Sequence, residues 1–179
     1  EGDIMIAGNR TGRAYLSTDF GVTWNEIQPK GDTDGNWWSV ASNTTGSVLM
    51  IGEGTGLGRL YLSTDSGANW SEVQPAGNVD TNWVSIASNG HGSVLCAIVT
   101  GGRAYISTDS GANWAETQPV GNIDSDWYAV DIDDTGTKLI IASSIGKIFL
   151  STDTGANWAE TQPAGAVSKQ WGVVACDSD

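Results

Sequence analysis

The chain has 179 residues, enough for one sizeable core or one ring of small units. Its 8 Lys and Arg oppose 21 Asp and Glu, a formal charge of −13, and so acidic a surface repels phosphate backbones and argues against nucleic acid as a partner. No apolar run approaches the roughly 20 residues that cross a bilayer, so no membrane span is expected.

Read in chain order, one pattern recurs. DIMIAG (residues 3–8) and RAYLSTD (13–19) are short apolar runs separated by a Gly-rich turn, and a Trp24 segment then runs into Gln28-Pro29. WWSVAS (37–42) opens the next unit, followed by the turn NTTG, then SVLMIG, RLYLSTD and NWSEVQP. WVSIAS (83–88), NGHG, SVLCAIV and RAYISTD repeat the order, as do WYAVDI (127–132), DDTG, TKLIIAS and KIFLSTD. The chain ends on WGVVAC (171–176) and Asp-Ser-Asp. The octet STDFGVTW at residue 17 returns at 63, 107 and 151, at intervals of 46, 44 and 44 residues, and the remainder round to residue 17 is 45.

Short β-branched and aromatic runs punctuated by Gly and Pro predict all-β structure, and no helical period is present. Four strands in about 45 residues is the size of a propeller blade. The prediction is one domain over residues 1–179, a β-propeller of four four-stranded antiparallel blades. Because the first unit starts in its second strand, residues 171–179 are expected to pair beside residues 3–8 and close the ring within a monomer. Two chains in an eight-bladed ring, or a segment of a longer array, are the alternatives. Cys96 and Cys176 lie in apolar runs and are expected as buried thiols, with no metal-ligand spacing.

Ser17, Asp19, Gly21 and Trp24 are matched by Ser63, Asp65, Gly67 and Trp70, by Ser107, Asp109, Gly111 and Trp114, and by Ser151, Asp153, Gly155 and Trp158. The octet resembles the Asp-box, or bacterial neuraminidase repeat, S-x-D-x-G-x-T-W, with Asn69, Asn113 and Asn157 in place of the Thr. A structural role is expected: Asp accepts hydrogen bonds from turn amides, Gly supplies a positive φ, and Trp packs over the turn.

The resemblance implies a fold shared by sialidases, other glycosidases, sorting receptors and noncatalytic adhesion or assembly proteins. A sialidase-like site needs an arginine cluster, a Tyr–Glu nucleophile pair and an aspartic acid. Tyr15, Tyr61 and Tyr105 share one repeat position with Phe149, and Glu26, Glu72, Glu116 and Glu160 share another. Catalysis needs one asymmetric constellation, so these copies read as structural. His91, in NGHG, is expected in solvent. The leading expectation is a noncatalytic binding or scaffold module, extracellular or at a cell surface, with carbohydrate as the first ligand class and a protein ligand as another. A structural subunit of an extracellular assembly or filament is the alternative, and a sialidase-like glycoside hydrolase comes third.

Two repeated sets are binding candidates. Arg13, Arg59, Arg103 and Lys147 precede each octet by four residues, and Trp37, Trp83, Trp127 and Trp171 open the innermost strands. The competing reading plugs the tryptophans between blades and pairs the cations with Asp34, Asp80 and Asp124. Positions that break the repeat are the best place for a single specific site: Trp38 stands where Val84, Tyr128 and Gly172 stand elsewhere, and Arg10, Glu53, Leu57 and Lys169 are unmatched. Asp32-Thr33-Asp34-Gly35-Asn36 has the oxygen density of a calcium loop but no downstream bidentate Glu, so a solvated turn and no cofactor are expected.

Overall fold

The computed structural model describes residues 3–55, 58–144, 146–165 and 169–177. Among them the chain is all-β. The first unit is a three-stranded meander of β1 (Met5–Gly8), β2 (Ala14–Ser17) and β3 (Asn25–Ile27). The second is a four-stranded antiparallel blade of β4 (Trp37–Ser42), β5 (Leu49–Glu53), β6 (Leu60–Ser63) and β7 (Ser71–Val73). The third comprises β8 (Trp83–Ser88), β9 (Leu95–Gly102), β10 (Ala104–Ser107) and β11 (Ala115–Thr117), and the fourth β12 (Ser125–Ile132), β13 (Leu139–Ser143), β14 (Ile148–Ser151) and β15 (Ala159–Thr161). The last two blades join into one eight-stranded sheet because β9 runs on far enough to pair with the start of β12, Asp126 opposite Thr100.

The second strand of each complete blade is covered on both faces, which is why it reads as an unbroken apolar run rather than an alternating one. Leu49, Met50 and Ile51 are 0–1% exposed, as are Leu95, Cys96 and Ala97. The inner strands β4, β8 and β12 each carry a register shift, between Trp37 and Ser39, Trp83 and Ser85, and Trp127 and Ala129. The unpaired residue at each shift is Trp38, Val84 or Tyr128. Such a bulge re-aims its side chain, and here it sets the lining of the propeller's axial mouth.

Neighbouring blades interlock through a knob and a notch. A methyl group placed on Gly67 would lie 2.7 Å from Leu16 Cδ2 of the preceding blade and 3.4 Å from Leu49 Cδ1 of its own. On Gly111 or Gly155 it would overlap Leu62 Cδ2 or Ile106 Cδ1. The knobs Leu16, Leu62 and Ile106 are 7–8% exposed, and full burial of such a side chain contributes about 1.5–3 kcal/mol.

Among the described residues the expected pairing of residues 171–177 beside residues 3–8 is not formed. β1 pairs with β2 alone, so the first unit has three strands among the described residues. Residues 171–177 lie instead against β12 and β13: Trp171 and Val174 pack on Ala129, Ala142 and Ile148, and Cys176 N–H donates to Asp131 Oδ2 at 2.7 Å. Ser178 and Asp179, the last two residues of the expected closing strand, lie outside the described residues. Ala142, in the cluster that Trp171 packs on, holds the register position of Gly8 and Gly52, against which Trp37 and Trp83 lie. The segment therefore follows the inner-strand path of a next blade, and side-chain packing holds it there.

The notch predicts a graded response to added methyl groups. Gly111 has φ +87° and no room, whereas Gly77 has φ +81° and nothing within 4 Å of an added Cβ. Gly111→Ala should lower stability by about 2–4 kcal/mol, and Gly77→Ala by only the backbone share of about 1–2 kcal/mol. Urea denaturation of the two variants checks the difference, and equal losses would refute the interlock.

Candidate functional site

Each octet folds onto itself first. Ser17 Oγ donates to Asp19 Oδ1 at 2.9 Å and accepts from Gly21 N–H at 2.8 Å. Asp19 Oδ1 also accepts from Thr23 N–H at 2.8 Å, and Oδ2 from Thr23 Oγ1 at 2.6 Å. Trp24 Nε1–H closes the turn on Gly21 O at 3.1 Å. In the other copies the amide of Asn69, Asn113 or Asn157 replaces the threonine hydroxyl and reaches Asp65, Asp109 or Asp153 Oδ2 at 2.6–2.7 Å. The substitution keeps the bond because either side chain offers a donor at the same reach. Two adjacent residues adopt positive φ, Phe20 and Gly21 and then Ser66-Gly67, Ser110-Gly111 and Thr154-Gly155. The glycine was legible in sequence, but its left-handed neighbour was not.

These bonds hold the carboxylates below their usual range. Hydrogen bonds from Thr23 lower Asp19, and those from Asn69, Asn113 and Asn157 lower Asp65, Asp109 and Asp153. A second buried set was missed in the sequence. Asn43, Asn89 and Asp133 are 1–6% exposed and cap the inner hairpins, accepting from Val48, Val94 and Lys138 N–H at 2.8–3.0 Å. The signal was the first letter of NTTG, NGHG and DDTG. His91 is exposed on the same kind of turn.

The octets and inner hairpins share one face, since Phe20, Ser66, Ser110 and Thr154 N–H donate to Asp3, Ser47, Ser93 and Thr137 O. The candidate cations and tryptophans belong to the opposite face. Trp37, Trp83 and Trp127 are not open aromatic platforms there. They are 1–2% exposed, and their rings meet Tyr61, Tyr105 and Phe149 edge-on at 5.8–5.9 Å between centroids. Trp171 is half-buried against the fourth blade. As ligand-stacking residues Trp37, Trp83 and Trp127 are corrected: these three rings fill the space between blades, where a large apolar surface is removed from water.

The repeated cations face carboxylates. Arg13 pairs with Asp32 at 2.8 Å and Asp34 at 3.0 Å, Arg59 with Asp80 and with Glu72 at 3.4 Å, Arg103 with Asp124 at 2.6 Å and Glu116 at 3.3 Å, and Lys147 with Glu160 at 2.8 Å. Asp32 and Asp34 thus serve a guanidinium. Glu72 and Glu116 stand across the strand pair from Tyr61 and Tyr105, and burial pushes the Tyr61 phenol up to about 12, away from the phenolate. Glu53 is 5% exposed and ties two loops together, accepting from Lys30 Nζ at 2.7 Å and from Asn36 N–H at 3.4 Å. Leu57 lies outside the described residues, and Lys169 is exposed. Burial raises the thiols of Cys96 and Cys176 to about 12 and 11.

Two of the repeat-breaking residues meet. The Arg10 guanidinium lies 3.5 Å above the Trp38 ring, and both line an axial cavity of about 280 Å³ with Val84, Tyr128 and residues 172–174. Tyr128 is 49% exposed, and Arg10 has no carboxylate partner among the described residues. A second cavity of about 360 Å³ occupies the octet face, lined by Asn43, Asn89, Asp134 and Cys176 among others.

The BNR/Asp-box repeat family matches residues 15–26, the stretch whose hydrogen bonds are described above. The repeat is an Asp-box. No curated protein matches the chain. Among solved structures, the GH74 xyloglucanase from Xanthomonas campestris is 19% identical with a TM-score of 0.68, over 90% of this chain and 28% of its own. YCF48 bound to D1 peptide is 18% identical with a TM-score of 0.64, over 93% and 52%. A chain of a Nidogen/Laminin complex is 12% identical with a TM-score of 0.62, over 90% and 62%. These likenesses show the β-propeller fold, and this chain spans between about a quarter and two thirds of the chains it resembles.

The Asp-box carboxylates predict an acid limit to stability. Their folded pKa values lie below the unfolded one, so their contribution is complete above about pH 4–5 and drains away as pH falls through the depressed folded values. The urea midpoint should be flat from pH 8 to 5 and fall steeply below 4. Asp109→Ala should lower the midpoint at pH 7 and lose less on acidification than the parent chain. An unchanged midpoint at pH 7 would remove Asp109 from the structural role.

Proposed function

We propose that this chain is a noncatalytic binding module that takes its ligand at the axial mouth opposite the Asp-boxes, with carbohydrate as the ligand class. One observation carries the reading: Arg10 stacks on Trp38 beside the half-exposed Tyr128, at the mouth where the fourfold pattern fails. A repeated scaffold recognises one ligand through the positions at which its copies differ, and Trp38, Val84, Tyr128 and Gly172 are the four versions of one position. Aromatic rings beside hydrogen-bond donors suit the apolar faces and hydroxyls of a sugar. Among the described residues Arg10 contributes donors without a competing ion pair, whereas Arg13, Arg59, Arg103 and Lys147 are engaged by carboxylates. The net charge of −13 disfavours strongly acidic ligands and leaves neutral saccharides favoured.

The xyloglucanase offers a precedent for a saccharide on this fold, and the YCF48–D1 peptide complex one for a peptide. A glycan array followed by tryptophan-fluorescence titration separates the two classes. A neutral oligosaccharide should bind, and Trp38→Ala and Arg10→Ala should each weaken it about tenfold, a change of about 1.4 kcal/mol. Arg59→Ala should leave the affinity unchanged. Binding that survives both axial substitutions would move the site elsewhere, and binding of peptides alone would overturn the ligand class.

A further inference from the structure

A second pair of repeat-breaking residues meets beside the axial mouth. Lys30 stands where Ala76, Val120 and Ala164 stand in the other copies. Glu53 faces Trp37 across the strand pair, at the position that Val99 and Ser143 hold opposite Trp83 and Trp127. The Lys30 ammonium donates to Glu53 Oε1 at 2.7 Å. The carboxylate, 5% exposed, also accepts from Asn36 and Arg59 N–H, each at 3.4 Å. An ion pair taken out of water is a weak source of stability, because both charges lose hydration, and its best-attested use is to fix one arrangement over others. Here it fixes the course of the residues that follow Glu53.

Gly54 N–H donates to Asn36 O at 3.0 Å, Thr55 N–H donates to Asn82 Oδ1 at 2.7 Å, and Asn36 Nδ2–H bonds Thr55 Oγ1. Thr55 has φ +62°, and among the described residues it is the one non-glycine with a positive φ outside the octets. A β-branched residue holds that conformation only where its surroundings dictate it, as they do around ligand sites. The wall so formed meets one side chain of the mouth. A methyl group on Gly54 would lie 2.9 Å from both Cβ and Cγ of Trp38, whose ring carries the Arg10 guanidinium at 3.5 Å. Trp38 is thus set by loop backbone at its root and by a guanidinium over its ring.

We propose that Lys30 and Glu53 are positioning residues for the axial site. Neither lines the cavity. Their ion pair holds residues 53–55 as the wall that keeps the Trp38 indole in its ligand-binding orientation, so affinity at the mouth depends on two side chains that do not touch the ligand. The inference rests on the reading of the mouth as a saccharide site. Lys30 differs in this from Arg13, Arg59 and Arg103, whose pairs with Asp34, Asp80 and Asp124 recur from blade to blade whatever residue stands at the mouth.

Two readouts on the 179-residue chain test it: the Trp38 indole N–H resonance, assigned with Trp38→Phe, and the affinity for the neutral oligosaccharide that the glycan array selects. Lys30→Met combined with Glu53→Gln removes both charges together and keeps a side-chain acceptor for Asn36 N–H, so it should fold with the circular dichroism of the parent. It should move the Trp38 resonance and weaken the saccharide about tenfold, and Gly54→Ala should do the same. Lys30→Arg should retain the parent's resonance and affinity. Arg59→Ala, which removes a repeated ion pair from the same face, should change neither. A Trp38 resonance that stays in place in the folded double variant or in Gly54→Ala overturns the proposal, as does an equal loss of affinity in Arg59→Ala. If the parent chain binds no saccharide, the reading of the mouth fails, and the resonance still decides whether Lys30 and Glu53 position Trp38.

Discussion

A side chain cannot occupy the space beside Gly67, Gly111 or Gly155, and the stacking of the blades depends on that prohibition. The Asp-box turn forces two successive residues into the left-handed region, and the second is a glycine both for that reason and because a leucine or isoleucine of the preceding blade lies against it. A local hydrogen-bond motif and a long-range packing contact thus converge on one missing Cβ. The Ser–Asp–Thr or Ser–Asp–Asn network holds the turn in shape, the indole of each box closes it, and the knob reads that shape from the next sheet.

Charge follows the repeat as well. The chain has few cations, and the four repeated ones sit where the β1–β2 turn and its equivalents meet the loop to the next blade. Exposed ion pairs of this kind contribute little individually. Their effect here is to fasten interblade loops in a strongly acidic protein. That leaves Arg10, which faces an indole instead of a carboxylate, chemically distinct from the rest of the set.

The axial mouth and the blade-to-blade contact follow opposite rules. The contact keeps one chemistry, Leu16, Leu62 or Ile106 against Gly67, Gly111 or Gly155. The mouth does the reverse, placing Trp, Val, Tyr and Gly at one position of the repeat. Uniformity suits a surface that must fit its own kind, and variation suits one that must fit something else. The neighbours on this fold include a xyloglucanase, a peptide-bound chain and a chain of a Nidogen/Laminin complex, so the fold alone sets no ligand class.

The sequence by itself determined the β-class, the repeat and the inner workings of every Asp-box, because those bonds run between residues at most four apart and the octet contains both partners. Spacing and alternation also marked the positions of Trp37, Trp83 and Trp127 and of the cations. What lies against them came only from the tertiary structure: an aromatic at regular spacing reads alike whether it faces a ligand or the next blade, and the rings prove buried. The bulge that turns Trp38, Val84 and Tyr128 toward the axis is a backbone accommodation with no sequence signature of its own. Closure was beyond reach for the same reason. Four copies of the octet count the repeats in this sequence, but that residues 171–177 lie against β12 and β13 follows from contacts between residues about 40 apart, Cys176 with Asp131 and Lys138, which no local pattern marks.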